Sequence, residues 1–194
     1  MRQGKVHRKT NETDVTVEID LDGTGNSSVD TTIPFIDHMI SLMAKHGLLD
    51  VTITATGDTQ IDYHHLMEDL GITIGQAISR AVGDKYKIMR YGQALIPMDE
   101  ALTEVVLDLS GRPYLVYHLG ETSGHIKDLP VSLFEDFFMS LCTQAMMNLH
   151  INLRYGRDLH HIYESIFKAF GKALAMASSI NERMPGLPTT KGIL

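Results

Sequence analysis

The stretch His64-His65-Leu66-Met67-Glu68 returns as His160-His161-Ile162-Tyr163-Glu164, at an offset of 96 residues. Other stretches return with it. Asp20-Leu21-Asp22-Gly23 matches Asp108-Leu109-Ser110-Gly111 at an offset of 88, and Asp37-His38-Met39-Ile40 matches Glu135-Asp136-Phe137-Phe138 at 98. Gly75-Gln76-Ala77-Ile78-Ser79-Arg80-Ala81 matches Gly171-Lys172-Ala173-Leu174-Ala175-Met176-Ala177, again at 96. Offsets that drift by a few residues between matching segments mark a duplicated unit with small loop insertions. A 194-residue chain of this kind folds as two like halves, residues 1–92 and 93–194, packed as one compact unit. That length is enough to bury a sizeable core.

Hydrophobic periodicity gives each half the same elements. Residues 15–21 alternate apolar and polar side chains, which predicts a strand with one buried face. Asp22-Gly23-Thr24-Gly25 turns it, residues 28–33 return, and Pro34 opens a helix through Lys45 with Gly47 just past its end. Residues 51–55 form a strand, and a helix covers about residues 63–83. In the second half the strands fall at 102–109 and 114–118. Pro130 opens a helix at 131–147, and a strand at 149–153 and a helix at 158–179 complete it. Each half reads strand, strand, helix, strand, helix, and a further strand over residues 93–98 begins the second. The fold class is α+β.

On a helix, residues three and four apart share a face. Glu68 therefore lies beneath both His64 and His65, and Glu164 beneath both His160 and His161. One His-His pair is ordinary surface decoration. Two copies, each with glutamate at the same offset, point to a divalent metal. Adjacent histidines diverge by about 100° around the helix, so they serve two metals more easily than they chelate one. Aligning the halves sets His38 against Asp136. The ligand candidates are then His38, His64, His65, Glu68, Asp136, His160, His161 and Glu164, four for each of two metals. Such a set leaves open positions for substrate and water. Nitrogen and oxygen donors without sulfur favour manganese, iron or zinc.

The net charge of −7, with no long basic block, argues against nucleic acid as a partner. Local cations still suit a small anion. Arg112 aligns with Thr24 and Lys168 with Ile72, so these charges occur in one half only. Arg90 lies between the halves, and Thr189, Thr190 and Lys191 offer hydroxyls, amides and an ammonium near the end. Together they suggest a duplicated metal centre facing one anionic substrate. The single cysteine, Cys142, allows no internal disulfide, residues 1–14 contain no apolar signal core, and no stretch approaches a membrane span. A cytoplasmic protein is expected.

These motifs resemble the imidazoleglycerol-phosphate dehydratase family over essentially the whole chain. The matching landmarks begin with Arg8-Lys9-Thr10-Asn11-Glu12-Thr13, Leu21-Asp22-Gly23-Thr24-Gly25 and Phe35-Ile36-Asp37-His38-Met39. His64-His65 to Glu68-Asp69, Pro97-Met98-Asp99-Glu100-Ala101-Leu102 and Asp108-Leu109-Ser110-Gly111-Arg112-Pro113 follow. His160-His161 to Phe167-Lys168-Ala169 and Thr190-Lys191-Gly192 complete the set.

The resemblance implies two similar α+β halves, each a sheet with helices on one face, of the kind found in the second domain of a small-ribosomal-subunit protein. It implies a lyase of histidine biosynthesis that removes water from imidazole glycerol phosphate to give imidazole acetol phosphate. Two Mn2+ ions per active site are implied, held between subunits of a homo-oligomer of 24 chains. Ligation of both ring nitrogens would stabilise an imidazolate that pushes electrons toward the departing hydroxyl.

By the same resemblance Glu12, His46 and Glu164 contact substrate, as do His38, His64, Glu68 and His160, and Asp99 sits in a matching motif. Glu164 is the first choice for proton transfer, ahead of Glu12, His46 and Asp99. Arg90, Arg112, Lys168, Thr189, Thr190 and Lys191 would hold the phosphate. Two departures stand out: Asp136 occupies a position where the family often has histidine, and Leu66-Met67 replaces a common Thr-Val. The rival expectations are a dinuclear phosphoesterase and a non-catalytic, metal-assembled oligomer. An RNA-binding role, suggested by related folds, sits badly with an acidic chain.

Overall fold

The structure is a computed structural model and describes residues 2–193. The first half runs β1 (Gln3–Lys9), β2 (Thr13–Asp20), β3 (Ser27–Asp30), α1 (Pro34–Gly47), β4 (Asp50–Gly57) and α2 (His64–Val82). The second runs β5 (Tyr91–Met98), β6 (Ala101–Asp108), β7 (Tyr114–His118), a short hairpin β8 (His125–Ile126) and β9 (Leu129–Pro130), α3 (Leu133–Ala145), β10 (Asn148–Tyr155) and α4 (Leu159–Ser178).

The two sheets have one topology. The strand orders are β1-β2-β4-β3 and β5-β6-β10-β7, with the last pair parallel and the others antiparallel in each. Val17 pairs with Ile53 in the first sheet, and Val105 with Ile151 in the second, all four buried. The inward side chains of β2 and β6 meet helices, and the alternate ones are more exposed. Helices α1 and α4 pack together across the halves, as do α2 and α3, so the two halves share one continuous core. Its centre is aromatic: Phe134 stacks on Tyr163 with centroids 4.0 Å apart, and Phe137, Phe138, Phe167 and Phe170 surround them. Burying one such ring stabilises by about 1.5–3 kcal/mol.

Three differences from the sequence expectation have physical causes. First, β1 is an additional strand, so both halves begin with one. Val6 is its only large buried apolar residue, while Gly4 is buried because a Cβ there would stand 2.0 Å from the Ala77 carbonyl oxygen of α2. A strand that contacts its helix through a glycine leaves little hydrophobic signal. Second, Gly47 does not stop α1. It is the last helical residue, and Leu48 ends the helix in the left-handed region at φ 55°. Gly47 is needed by packing, since a Cβ there would meet the Gly171 carbonyl oxygen of α4 at 2.7 Å. Third, Pro130 belongs to β9, and α3 starts at Leu133.

Candidate functional site

Each His-His pair occupies the first turn of its helix. Asp62 accepts from the His64 backbone N–H at 2.8 Å, and Asp158 accepts from that of His160 at the same distance. These short polar side chains satisfy N–H groups that helix starts leave free. The first histidine of each pair, His64 and His160, thereby sits in the first turn where the helices cross.

The α1–α4 crossing gathers His38, His160 and Glu164. The two imidazole centroids lie 5.7 Å apart. Glu164 Oε2 stands 3.3 Å from His160 Nε2 and 3.8 Å from His38 Nε2. The three donor atoms lie within 4.8 Å of one another, an arrangement that fits a divalent cation. The equivalent α2–α3 crossing brings His64 Nδ1 to 3.8 Å from Asp136 Oδ2. Glu68, half-buried on the next turn of α2, makes no ion pair among the described residues.

The eight candidate ligands therefore do not meet as two sets of four within one chain. His65 and His161 turn away from the crossings, as neighbours about 100° apart on a helix must. His65 Nδ1 lies 3.0 Å from Asp58 Oδ2 and 3.8 Å from Glu12 Oε2, and these three residues form a second compact group. His161 Nδ1 lies 2.7 Å from Glu100 Oε2, with Asp99 Oδ2 3.8 Å from its Nε2. Sequence reasoning missed Asp58 and Glu100. Glu100 was accessible, because it aligns with Glu12 at the same offset of 88 that relates the two Asp-Leu-x-Gly turns. Asp58, just past β4, carried no signal.

Charge differs sharply among these groups. Glu164 is nearly buried, which pushes its carboxyl up, but Lys168 outweighs this. The Lys168 ammonium donates to Glu164 Oε1 at 2.5 Å, and with His160 and His38 it holds the carboxyl below its ordinary value. Glu100 is held down to about 2 by the Asp158 backbone N–H and by His161. The hydrogen bond to Asp58 raises His65, and the one to Glu100 raises His161. His46 moves the other way, lowered by burial and then by the charges of Lys168 and Lys172.

The expected cationic cluster divides in two. Arg90, Arg112, Thr189, Thr190 and Lys191 line one cleft of about 620 Å³. Arg90 is itself anchored there, with Asp108 accepting at 2.7 and 3.1 Å and the Pro188 carbonyl at 2.9 Å, which ties the C-terminal segment to the body. Lys168 does not line this cleft. It belongs to Glu164, because α4 carries it one turn beyond that residue. His46 lines a separate depression with Lys172 and Gln93. No helix among the described residues is long and apolar enough to cross a membrane.

Comparison with known proteins bears on the family. A family model described as imidazoleglycerol-phosphate dehydratase matches residues 31–174. The chain is 51% identical over its whole length to the imidazoleglycerol-phosphate dehydratase of Syntrophus aciditrophicus (strain SB), covering 99% of that protein. It is 53% identical to that of Laribacter hongkongensis (strain HLHK9), with the same two coverages. Among solved structures, it superimposes on the imidazoleglycerol-phosphate dehydratase of Staphylococcus aureus with a TM-score of 0.83 at 36% identity, covering 92% of this chain and 99% of that one. The Pyrococcus furiosus structure gives 0.84 at 36% identity, covering 97% and 100%.

Proposed function

The chain belongs to the imidazoleglycerol-phosphate dehydratase family, and on that footing we propose that it removes water from imidazole glycerol phosphate to give imidazole acetol phosphate in histidine biosynthesis. The observation that carries this reading is the His38–His160–Glu164 group, two imidazoles and a carboxylate within 4.8 Å and salt-bridged to Lys168.

The donor chemistry suits manganese, and two ions per active site fit two crossings per chain. His38, His160 and Glu164 would hold one ion, and His64, Asp136 and Glu68, of which His64 and Asp136 approach each other, would hold the other. His65 and His161 would supply ligands to ions held chiefly by neighbouring copies, in active sites between subunits of a homo-oligomer of 24 chains. When bound, divalent ions supply positive charge that favours the deprotonated substrate ring.

The side chains divide the remaining work. Glu164, kept ionised by Lys168, is suited to accept the carbon-bound proton, which no carbonyl makes acidic. Glu12, His46 and Asp99 are the weaker candidates for proton transfer. The proton taken from carbon and the departing hydroxyl together make up the water that is lost. Arg90, Arg112, Thr189, Thr190 and Lys191 hold the phosphate in their cleft, and Lys168 joins them only if subunits bring it there. Fixing the remote charge orients the reacting end. The reaction is assigned to the cytoplasm, consistent with a buried, free Cys142.

Purified protein supplied with Mn2+ and imidazole glycerol phosphate tests this reading. A new ketone with the phosphate still attached is expected, abolished by a chelator and restored by Mn2+. Release of inorganic phosphate would point to a dinuclear phosphoesterase, and activity indifferent to chelation would remove the metal from the reaction.

A further inference from the structure

We propose that Asp58 and Glu100 are positioning carboxylates that fix the tautomer of His65 and His161, presenting the Nε2 lone pair of each ring to a divalent cation. The ligand half of this inference rests on the metal-dependent reading above. The tautomer half does not.

A neutral imidazole has one N–H, and an ionised carboxylate only accepts. The ring nitrogen facing the carboxylate must therefore be the donor, and the other nitrogen carries the lone pair. In both rings the donor is Nδ1, at 3.0 Å from Asp58 Oδ2 and 2.7 Å from Glu100 Oε2. Both acceptors are anchored. The Asp58 backbone N–H donates to the Glu12 carbonyl at 3.1 Å, and the Asp58 carbonyl accepts from Ile61 at 2.8 Å. Glu100 Oε1 accepts from the backbone N–H groups of Arg157 and Asp158 at 3.2 and 2.8 Å, leaving Oε2 for the ring. Nε2 of His65 makes no hydrogen bond among the described residues, and Nε2 of His161 has only Asp99, at 3.8 Å.

The strongest point is that the two carboxylates are not related by the duplication. Glu100, in the β5–β6 turn, corresponds to Glu12 in the β1–β2 turn, and Asp58 has Gly156 as its counterpart. Each half reaches the same Nδ1–carboxylate contact from a different element. Common ancestry explains the repeated histidines but not this repeated contact. A requirement on the ring nitrogens does. The arrangement also leaves Glu12, at 3.8 Å, free of the ring it would otherwise orient.

Solid-state 15N spectra of histidine-labelled, chelator-treated protein, recorded above both imidazole pKa values, read the tautomer. Calorimetric titration with Mn2+ reads the affinity. Wild-type His65 and His161 are expected in the Nδ1–H form. Glu100→Ala should release His161 but not His65, and Asp58→Ala the reverse, with each variant raising a Mn2+ dissociation constant about 10–100-fold. Asp58→Asn and Glu100→Gln carry the test if an alanine variant fails to fold, since an amide can donate to Nδ1 and invert the tautomer. Asp14→Asn, a surface carboxylate bonded to His7 and Lys9, should change neither reading. Nε2–H tautomers in the wild type, or unchanged Mn2+ affinity in both variants, would overturn the inference alone. A wild type that binds no Mn2+ would overturn the proposed function along with the ligand role.

Discussion

The two helix crossings share a scaffold and differ in chemistry. In each, the first strand of the half lies on the long helix through a glycine: a Cβ at Gly4 would meet the Ala77 oxygen at 2.0 Å, and one at Gly92 the Ala173 oxygen at 1.9 Å. In each, the first helix ends in a left-handed residue, Leu48 or Met146, at φ 55° and 53°. On that common frame the α1–α4 crossing carries His38, His160, Glu164 and Lys168. The α2–α3 crossing carries Asp136, His64, Glu68 and Ile72. Backbone approaches of this kind tolerate almost no change, because packed interiors have no spare volume. The exposed ends of the same helices tolerate a great deal. A duplicated chain can thus keep its architecture while one carboxylate acquires a cation and the other does not.

The sharpest way to break this comparison is to remove the two glutamates in turn. Glu164→Gln should lower kcat by about 10²–10⁴-fold, the range for a lost proton-transfer group, and Glu68→Gln by much less. Steady-state rates at saturating Mn2+ decide it, and equal losses would make the crossings chemically alike. Next in size, Gly4→Ala and Gly92→Ala should each destabilise by about 1–3 kcal/mol through overpacking against a backbone carbonyl. Denaturant titration would expose a neutral variant, which would mean the helix can retreat there. A smaller effect is expected from Asp136→His, which makes the second crossing resemble the first. It should tighten Mn2+ binding several-fold, because imidazole reaches farther than the aspartate carboxylate. Unchanged calorimetric affinity would place Asp136 off the ion.

The smallest effect is on titration. In chelator-treated protein, His65 and His161 should titrate above free histidine and His46 below it, as NMR of the ring protons would show. For the first two, the extra stability of the charged imidazolium–carboxylate pair is fully present below the unfolded pKa and is lost as pH rises through the raised folded value, the neutral Nδ1–H bond remaining. For His46 the sign reverses: its contribution is present above the unfolded pKa and lost as pH falls through the lowered folded value. All three moving together would erase the distinction between carboxylate-held and buried rings.

Much of this was legible in the sequence. Strands such as β2 and β6 alternate cleanly because one face is buried and the other is not. The helix starts at residues 64 and 159 are announced by Asp62 and Asp158. Strand β1 was not legible, since Gly4 does its packing by having no side chain. Nor was the hairpin between β7 and α3, whose two-residue strands are too short to show a period. Of the site, His38 and Asp136 emerged from aligning the halves and from the family resemblance, not from a local motif of their own. Asp58 stayed hidden because its partner, His65, is seven residues away across a loop.

By itself the sequence determined the duplication, the α+β class and the types of donor, because these depend on repeats and local periods. Which donors meet was decided by the tertiary structure alone. Helix α1 crosses α4, not its own neighbour α2, so His38 joins His160 and Glu164 from 122 and more positions away along the chain. Local preference ends within a few turns of helix. Where two helices touch depends on small residues such as Gly47 and Gly171 letting backbones approach, and that is a property of the folded core.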